Sequence, residues 1–216
     1  MTNSIVNFPT VQPVADLANA LAGSQVNETT AGSTNFLKID FNTGIWTSGQ
    51  DSDDVTGQEV IICTPTIRHG WILWSGGRPK KRWAKFTEPL PMRIEPVTSA
   101  QGQLDEPSEA RGLEAAFTED GTQVTLDTNS YGGRKAIDTI LSMIRVEATN
   151  GGQFLYPVVT LSNESYPGKG MRAGKDNFNP VFKFVAWADE NGNRKDEIAE
   201  VAAPVAKVQK RSRAAS

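Results

Sequence analysis

The sequence predicts a mainly β chain folded as a small barrel of five main strands, with one helix between the third and fourth. Three observations carry this. Nineteen glycines and twelve prolines in 216 residues call for many turns. Short apolar or alternating runs recur between those turns, as strands require. One long stretch with helical spacing stands after the third such run and before the last two.

The totals suit one domain with extensions. Apolar residues make up 38% of the chain and the mean hydropathy is −0.39, enough for one core but not for packing from end to end. No apolar run approaches the length of a membrane span. The first residues, MTNSIVNFPTVQPVADLANALAGS, have no basic start and no continuous apolar centre, so they do not read as a secretion signal. The single cysteine, Cys63, excludes an internal disulfide; in the apolar run Val60-Ile61-Ile62-Cys63 it reads as a buried, inert thiol. A soluble intracellular protein is the expectation.

Residues 1–33 are rich in Asn, Thr, Ser and Gly and read as a flexible segment, with one short helix over 14–21 where Leu17 and Leu21 stand four apart. Residues 35–48 read as a bent strand, a turn at Asn42-Thr43-Gly44 and a second stretch holding Trp46. An acidic loop with Asp51, Asp53 and Asp54 follows. Residues 58–75 give two β runs joined near Thr64-Pro65, Gly76-Gly77 makes a hairpin turn, and 80–86 returns with Trp83. Residues 99–120 hold six carboxylates against Arg111 and few β-branched residues. They read as an acidic surface insertion with a short helix over 108–117. Residues 121–126 alternate as a strand. Asn129 to Gly133 then cap a helix whose Ile137, Ile140, Leu141 and Ile144 share one face. Residues 154–161 form a strand, 162–180 a long loop, and 181–187 the last strand, with Phe182 and Phe184 on one face. From 189 onward the chain reads as a flexible basic tail.

With the insertion set aside, this order matches an oligonucleotide-binding (OB) fold, which takes its ligand on the second and third strands and on the loops joining strands 1 to 2 and 4 to 5. The domain then spans 34–188.

The residues that carry chemistry concentrate in 66–86. This stretch has Trp71, Trp74 and Trp83, the only histidine, His69, and six cations, Arg68, Arg78, Lys80, Lys81, Arg82 and Lys85, with no Asp or Glu. In a chain of net charge −3 such a concentration points to a polyanion. Cations neutralise phosphates and aromatic faces stack on bases. The plainer reading is an amphipathic hairpin with its tryptophans in the core and its lysines in water. Trp46 is a further stacking candidate, and Lys169, Arg172 and Lys175 place a basic loop at the fourth-to-fifth connection. Arg134 opens the helix, where free N–H groups favour an anion; the alternative is a helix start with solvated charges.

Other motifs weigh little. Residues 167–175 are similar to a phosphate loop, but the spacing fails and Asp176 stands where Ser or Thr is needed. Asp189, Asn191, Asn193 and Glu200 imitate a calcium loop, but Arg194 replaces its glycine. One histidine and one cysteine make neither a zinc set nor a nucleophile pair with a supporting motif. Asp51, Asp53 and Asp54 could hold metal as a nuclease site does, but such a run is usually a solvated loop. No catalytic residue, metal or cofactor is expected.

The segments FLKIDFNTGIWTSGQ, RHGWILWSGG, SYGGRKAIDTIL, PVVTLSNESYPGKG and NPVFKFVAW resemble a family of small proteins encoded by tailed phages and prophages, akin to phage OB-fold single-stranded-DNA-binding proteins. The resemblance covers roughly 35–187. It implies a role in phage DNA replication or recombination, in the cytoplasm of the infected bacterial host, with single-stranded DNA as ligand and replication or recombination proteins as partners. Many such proteins end in an acidic, partner-recruiting tail, whereas this chain ends in Lys207, Lys210, Arg211 and Arg213. The rival expectation is a phage structural or assembly protein making protein contacts.

Overall fold

The computed structural model describes residues 35–99, 101–168 and 173–195. The expected segment 1–33, the tail beyond 195, and Lys169 and Arg172 lie outside the described residues. The described elements are β1 (Asn35–Ile39), β2 (Trp46–Ser48), β3 (Asp53–Asp54), β4 (Glu59–Ile62), β5 (Arg68–Ser75), β6 (Arg78–Lys85), β7 (Val97–Thr98), β8 (Leu104–Asp105), β9 (Ser108–Phe117), β10 (Gln123–Thr128), α1 (Tyr131–Thr149), β11 (Tyr156–Pro167) and β12 (Asp176–Ala188). The fold is mainly β, with one large mixed sheet and one α-helix among the described residues.

β9 is the axis of the sheet. One edge pairs with β10, the other with both β4 and β5, which run end to end with a 3-10 turn at Thr64–Thr66 between them. β4 leads on to β11 and β12, β5 to β6, and β10 to β1, β2 and β3. β1 and β10 pair in parallel; the other ladders are antiparallel. The sheet does not close into a barrel. Between β1 and the β11–β12 hairpin there is a seam held by single hydrogen bonds. Phe178 N–H donates to Phe41 O at 3.0 Å. Asn163 Nδ2 donates to Gly44 O at 2.9 Å and Trp46 Nε1 to Ser162 O at 2.7 Å.

Inside the curve lie Leu37, Trp46, Val60, Ile62, Ile67, Leu113, Phe117, Val124, Val159, Leu161 and Phe182. α1 closes this core with Ile137, Ile140 and Ile144, the spacing read from sequence. Its start is also as expected: the Ser130 hydroxyl accepts the Gly133 N–H at 3.0 Å.

Three expectations are corrected. Residues 108–117 are no helix on a surface insertion but the ten-residue β9. Its neighbours cover it on both edges and much of both faces, so the alternation that marks a half-buried strand is missing from its sequence. The long loop of 162–180 is mostly strand: β11 and β12 continue as a polar two-stranded arm as far as Pro167↔Asp176. Polar residues pair there through the backbone, which leaves no apolar trace. Finally, a register shift between Val158 and Val159 breaks the alternation of β12, opposing Val158 to Ala186 and Val159 to Phe184. Phe182 is buried, while Phe184 meets Trp187 with ring centroids 5.2 Å apart.

Candidate nucleic-acid interface

Strand alternation divides the basic stretch between two faces of the β5–β6 hairpin. Cross-strand partners share a face, so Arg68, Gly70, Ile72 and Trp74 stand with Lys85, Trp83, Lys81 and Pro79. His69, Trp71 and Leu73 stand on the other face with Ala84, Arg82 and Lys80.

The second face is a strap site. His69 Nε2 lies 2.9 Å from Glu88 O, Trp71 Nε1 donates to Pro91 O at 2.9 Å, and Arg82 donates to Met92 O at 3.0 Å. The His69 ring stacks at a tilt on Phe86, 5.1 Å between centroids, and Arg93 lies over Trp71 at 5.7 Å. His69, Trp71 and Arg82 thus use their polar groups to hold residues 86–93, a role that the sequence did not indicate.

The first face bends over the sheet. A Cβ at Gly70 would come within 1.9 Å of Arg82 O, so only glycine allows the two strands this approach. Gly112 below makes room for Arg68: a Cβ there would be 2.7 Å from Arg68 Nε and 2.4 Å from Asp127 Oδ1. Arg68 therefore reaches Asp127 at 2.8 Å and Glu114 at 3.2 Å. Lys81 on β6 also reaches Asp127 at 2.8 Å, although β5 and β9 lie between their strands. In a flat sheet that gap is about 14 Å, more than a lysine and an aspartate can bridge, so the hairpin must curl over the β9–β10 surface. Arg68 lies 5.4 Å from the Trp83 ring and Lys81 5.7 Å from the ring of Phe36 on β1. Trp83 is half-buried and Phe36 is 45% exposed. This face therefore interleaves Trp74, Lys81, Trp83 and Arg68, with Phe36 alongside. Phe36 and Asp127 were not among the candidates, because the β1–β10 pairing that brings Phe36 to this surface has no local signature.

The remaining candidates divide. Trp46 is fully buried, packed on Phe182 at 5.6 Å, and cannot stack on a base. Arg134 is engaged by Glu109 at 3.2 Å, and the same carboxylate, with Asp138, holds Arg111. Burial acts to lower the Arg111 guanidinium, but these two acids outweigh it and hold the group above its ordinary value. Arg78, Lys80, Lys85 and Lys175 are exposed and have no ion-pair partner among the described residues. Trp74 is 57% exposed beside the hairpin turn.

Among the described residues no group of three or more His, Cys, Asp or Glu is placed to hold a metal ion. The Asp189 carboxylate instead accepts the N–H groups of Asn191 and Asn193, each at 2.9 Å. Cys63 is buried, and that burial pushes its thiol up. No described helix is long and apolar enough to cross a membrane. Compared with protein-family models, curated proteins and solved structures, the chain matches none.

Proposed function

We propose that this protein binds single-stranded DNA without catalysis and with little sequence preference, in phage replication or recombination inside the infected host. The observation that carries the reading is the interleaving of rings and cations on one curled face: Trp74, Lys81, Trp83 and Arg68, with Phe36 beside them. Bases of any identity stack on such rings, and phosphates take the cations.

The strand order supports an OB-like relationship. β4 with β5, then β9, then β10, then α1, then β11 and β12 follow the order of that fold, and β11 returns beside β4. The ladder that would join the third and fifth strands is replaced by the β1 segment at the seam. In this assignment β6 and the tip of the β5–β6 hairpin lie in the connection between the first and second strands, and the end of the β11–β12 arm leads into the fourth-to-fifth connection. Those two connections flank the ligand face of OB folds.

The test is a tryptophan-fluorescence titration with an unstructured oligonucleotide at low and moderate salt. Saturable quenching that weakens with salt, and exceeds that by duplex, is expected. Absence of quenching at low salt would sink the reading. It would favour the rival, a phage assembly protein making protein contacts, for which the exposed Leu90, Met92 and Leu104 of 86–107 speak.

A further inference from the structure

We propose that the tip of the β5–β6 hairpin is a wedge that caps the last base pair where a DNA duplex meets a single strand, with Trp74 as the stacking surface. This rests on the single-strand reading above and extends it to a junction.

The pairing of β5 with β9 ends at Ile72↔Ser108, and among the described residues β6 has β5 as its one ladder partner. From Trp74 to Pro79 the hairpin is therefore a two-stranded ribbon standing past the sheet. Such a ribbon has little packing to hold it. Two features stiffen it. Gly76 and Gly77, at φ 60° and 75°, close it in the shortest hairpin loop, and Pro79, opposite Trp74, has a fixed φ. The result is narrow, and it carries a large ring that is more than half exposed. Nothing in the described fold uses that ring: the polar groups of Trp46 and Trp71 are bonded and Trp83 meets Arg68, whereas Trp74 has neither a ring partner nor a hydrogen bond among the described residues.

The charge around the tip fits a nucleic-acid junction. Arg78 and Lys80 stand exposed on the face opposite to Trp74, and 66–86 contains no acid. On the Trp74 face, Lys81, Trp83 and Arg68 follow in order down the hairpin towards the sheet. A duplex end offers the same π-face as a free base. Apolar side chains set against base steps unstack and part them, and the cations then hold the backbones. A terminal pair on Trp74 would leave one strand to run down the ring-and-cation face while the other passes Arg78 and Lys80.

The test uses the full chain and three DNAs: an unstructured single strand, a blunt duplex, and that duplex bearing the single strand as an arm, with 2-aminopurine in the junction pair. The wild type is expected to bind the armed duplex about tenfold more tightly than the arm alone, the worth of one stacked surface, and to lower the 2-aminopurine emission as the Trp74 ring stacks on the junction pair. Trp74→Ala should weaken binding to the arm but weaken binding to the armed duplex about tenfold more, so that the gain and the emission change are both lost, while Trp74→Phe should restore part of each. Equal affinity for arm and armed duplex, or a gain that survives in Trp74→Ala, would overturn the wedge and leave single-strand binding standing. Binding to none of the three would overturn both.

Discussion

Asp127 occupies two of the cations that a phosphate backbone would need. Its carboxylate accepts from Arg68 and from Lys81, each at 2.8 Å, and its side chain is 10% exposed. Replacing it by Ala leaves both cations near each other with one acid, Glu114, still at Arg68. Because all three groups keep some exposure to water, the cost falls below that of breaking a fully buried pair, at about 2 kcal/mol. Single-strand affinity should move the other way, since Arg68 and Lys81 are then free for phosphates. The opposed shifts separate a binding surface from a merely structural ion-pair cluster. Denaturant unfolding and an oligonucleotide titration on the same variant check both, and a decrease in each would speak against the surface. Nothing in the local sequence LDTN pointed to this residue: its role arises from Gly112, which lets Arg68 pass over the neighbouring strand. The tryptophans were similarly countable but not divisible. Trp46, Trp71 and Trp74 stand in similar apolar surroundings in the chain, and what separates core, strap anchor and open ring is the partner that each N–H finds.

At the scale of elements, alternation is the rule that the basic run obeyed. Lys80, Lys81 and Arg82 are adjacent in sequence, yet Lys81 faces Asp127 while Lys80 and Arg82 face away, and Arg82 is tied to Met92 O. The open cations are Arg78, Lys80 and Lys85. Changing these three to Ala should leave stability nearly untouched and lower the magnitude of the salt slope of binding by about 0.7 for each phosphate no longer neutralised, about 2 in all. An unchanged slope in the folded variant would remove these three open cations from the interface. The turns between elements make a second prediction. Asp40, Asp54 and Asp120 each accept the N–H two residues ahead, from Asn42, Thr56 and Thr122. These bonds hold the carboxyls below their ordinary value, helped at Asp120 above all by the Thr122 hydroxyl. At Asp189 burial acts upward, but bonds from Asn193 and Asn191 outweigh it. A folded pKa below the unfolded one adds stability above the unfolded value, near 3.9, and loses it as pH falls through the folded one. Unfolding midpoints should therefore hold steady from pH 7 to about 5 on this account and drop below about 4, less so once these four are Asn. Element identity was legible where one face met water, as in α1, whose Ile137, Ile140 and Ile144 are buried. It was not where both faces were covered, as in β9 with its Ala and Gly, nor where a polar arm paired with itself, as at 162–167.

For the whole molecule the deciding feature of form is the seam, where β1 and its following turn stand between β10 and the β11–β12 hairpin. The sheet is continuous from β12 through β11, β4, β9 and β10 to β1, and then, among the described residues, returns on itself by three isolated hydrogen bonds. Gly44 is the pivot. Its φ is 77°, and a Cβ there would lie 2.7 Å from the Phe178 ring. Gly44→Ala thus meets both a left-handed backbone, costing about 1–2 kcal/mol, and a ring that must move. The destabilisation should be local rather than global. β9 has ladder partners along both edges, so its amides, with those of β4, are expected to exchange last, by global unfolding. Those of β1, held by short ladders to β10 and β2, and of residues 176–180, whose Phe178 N–H crosses the seam, are expected to exchange through a smaller opening. In Gly44→Ala, native-state hydrogen exchange should accelerate in β1 and 176–180 by more than in β9, and the single-strand face, which borrows Phe36 from β1, should lose affinity with it. Equal acceleration in all strands would mean that the seam opens only when the whole sheet does, and that the β1 segment is as much a part of the sheet as the ladder that it replaces.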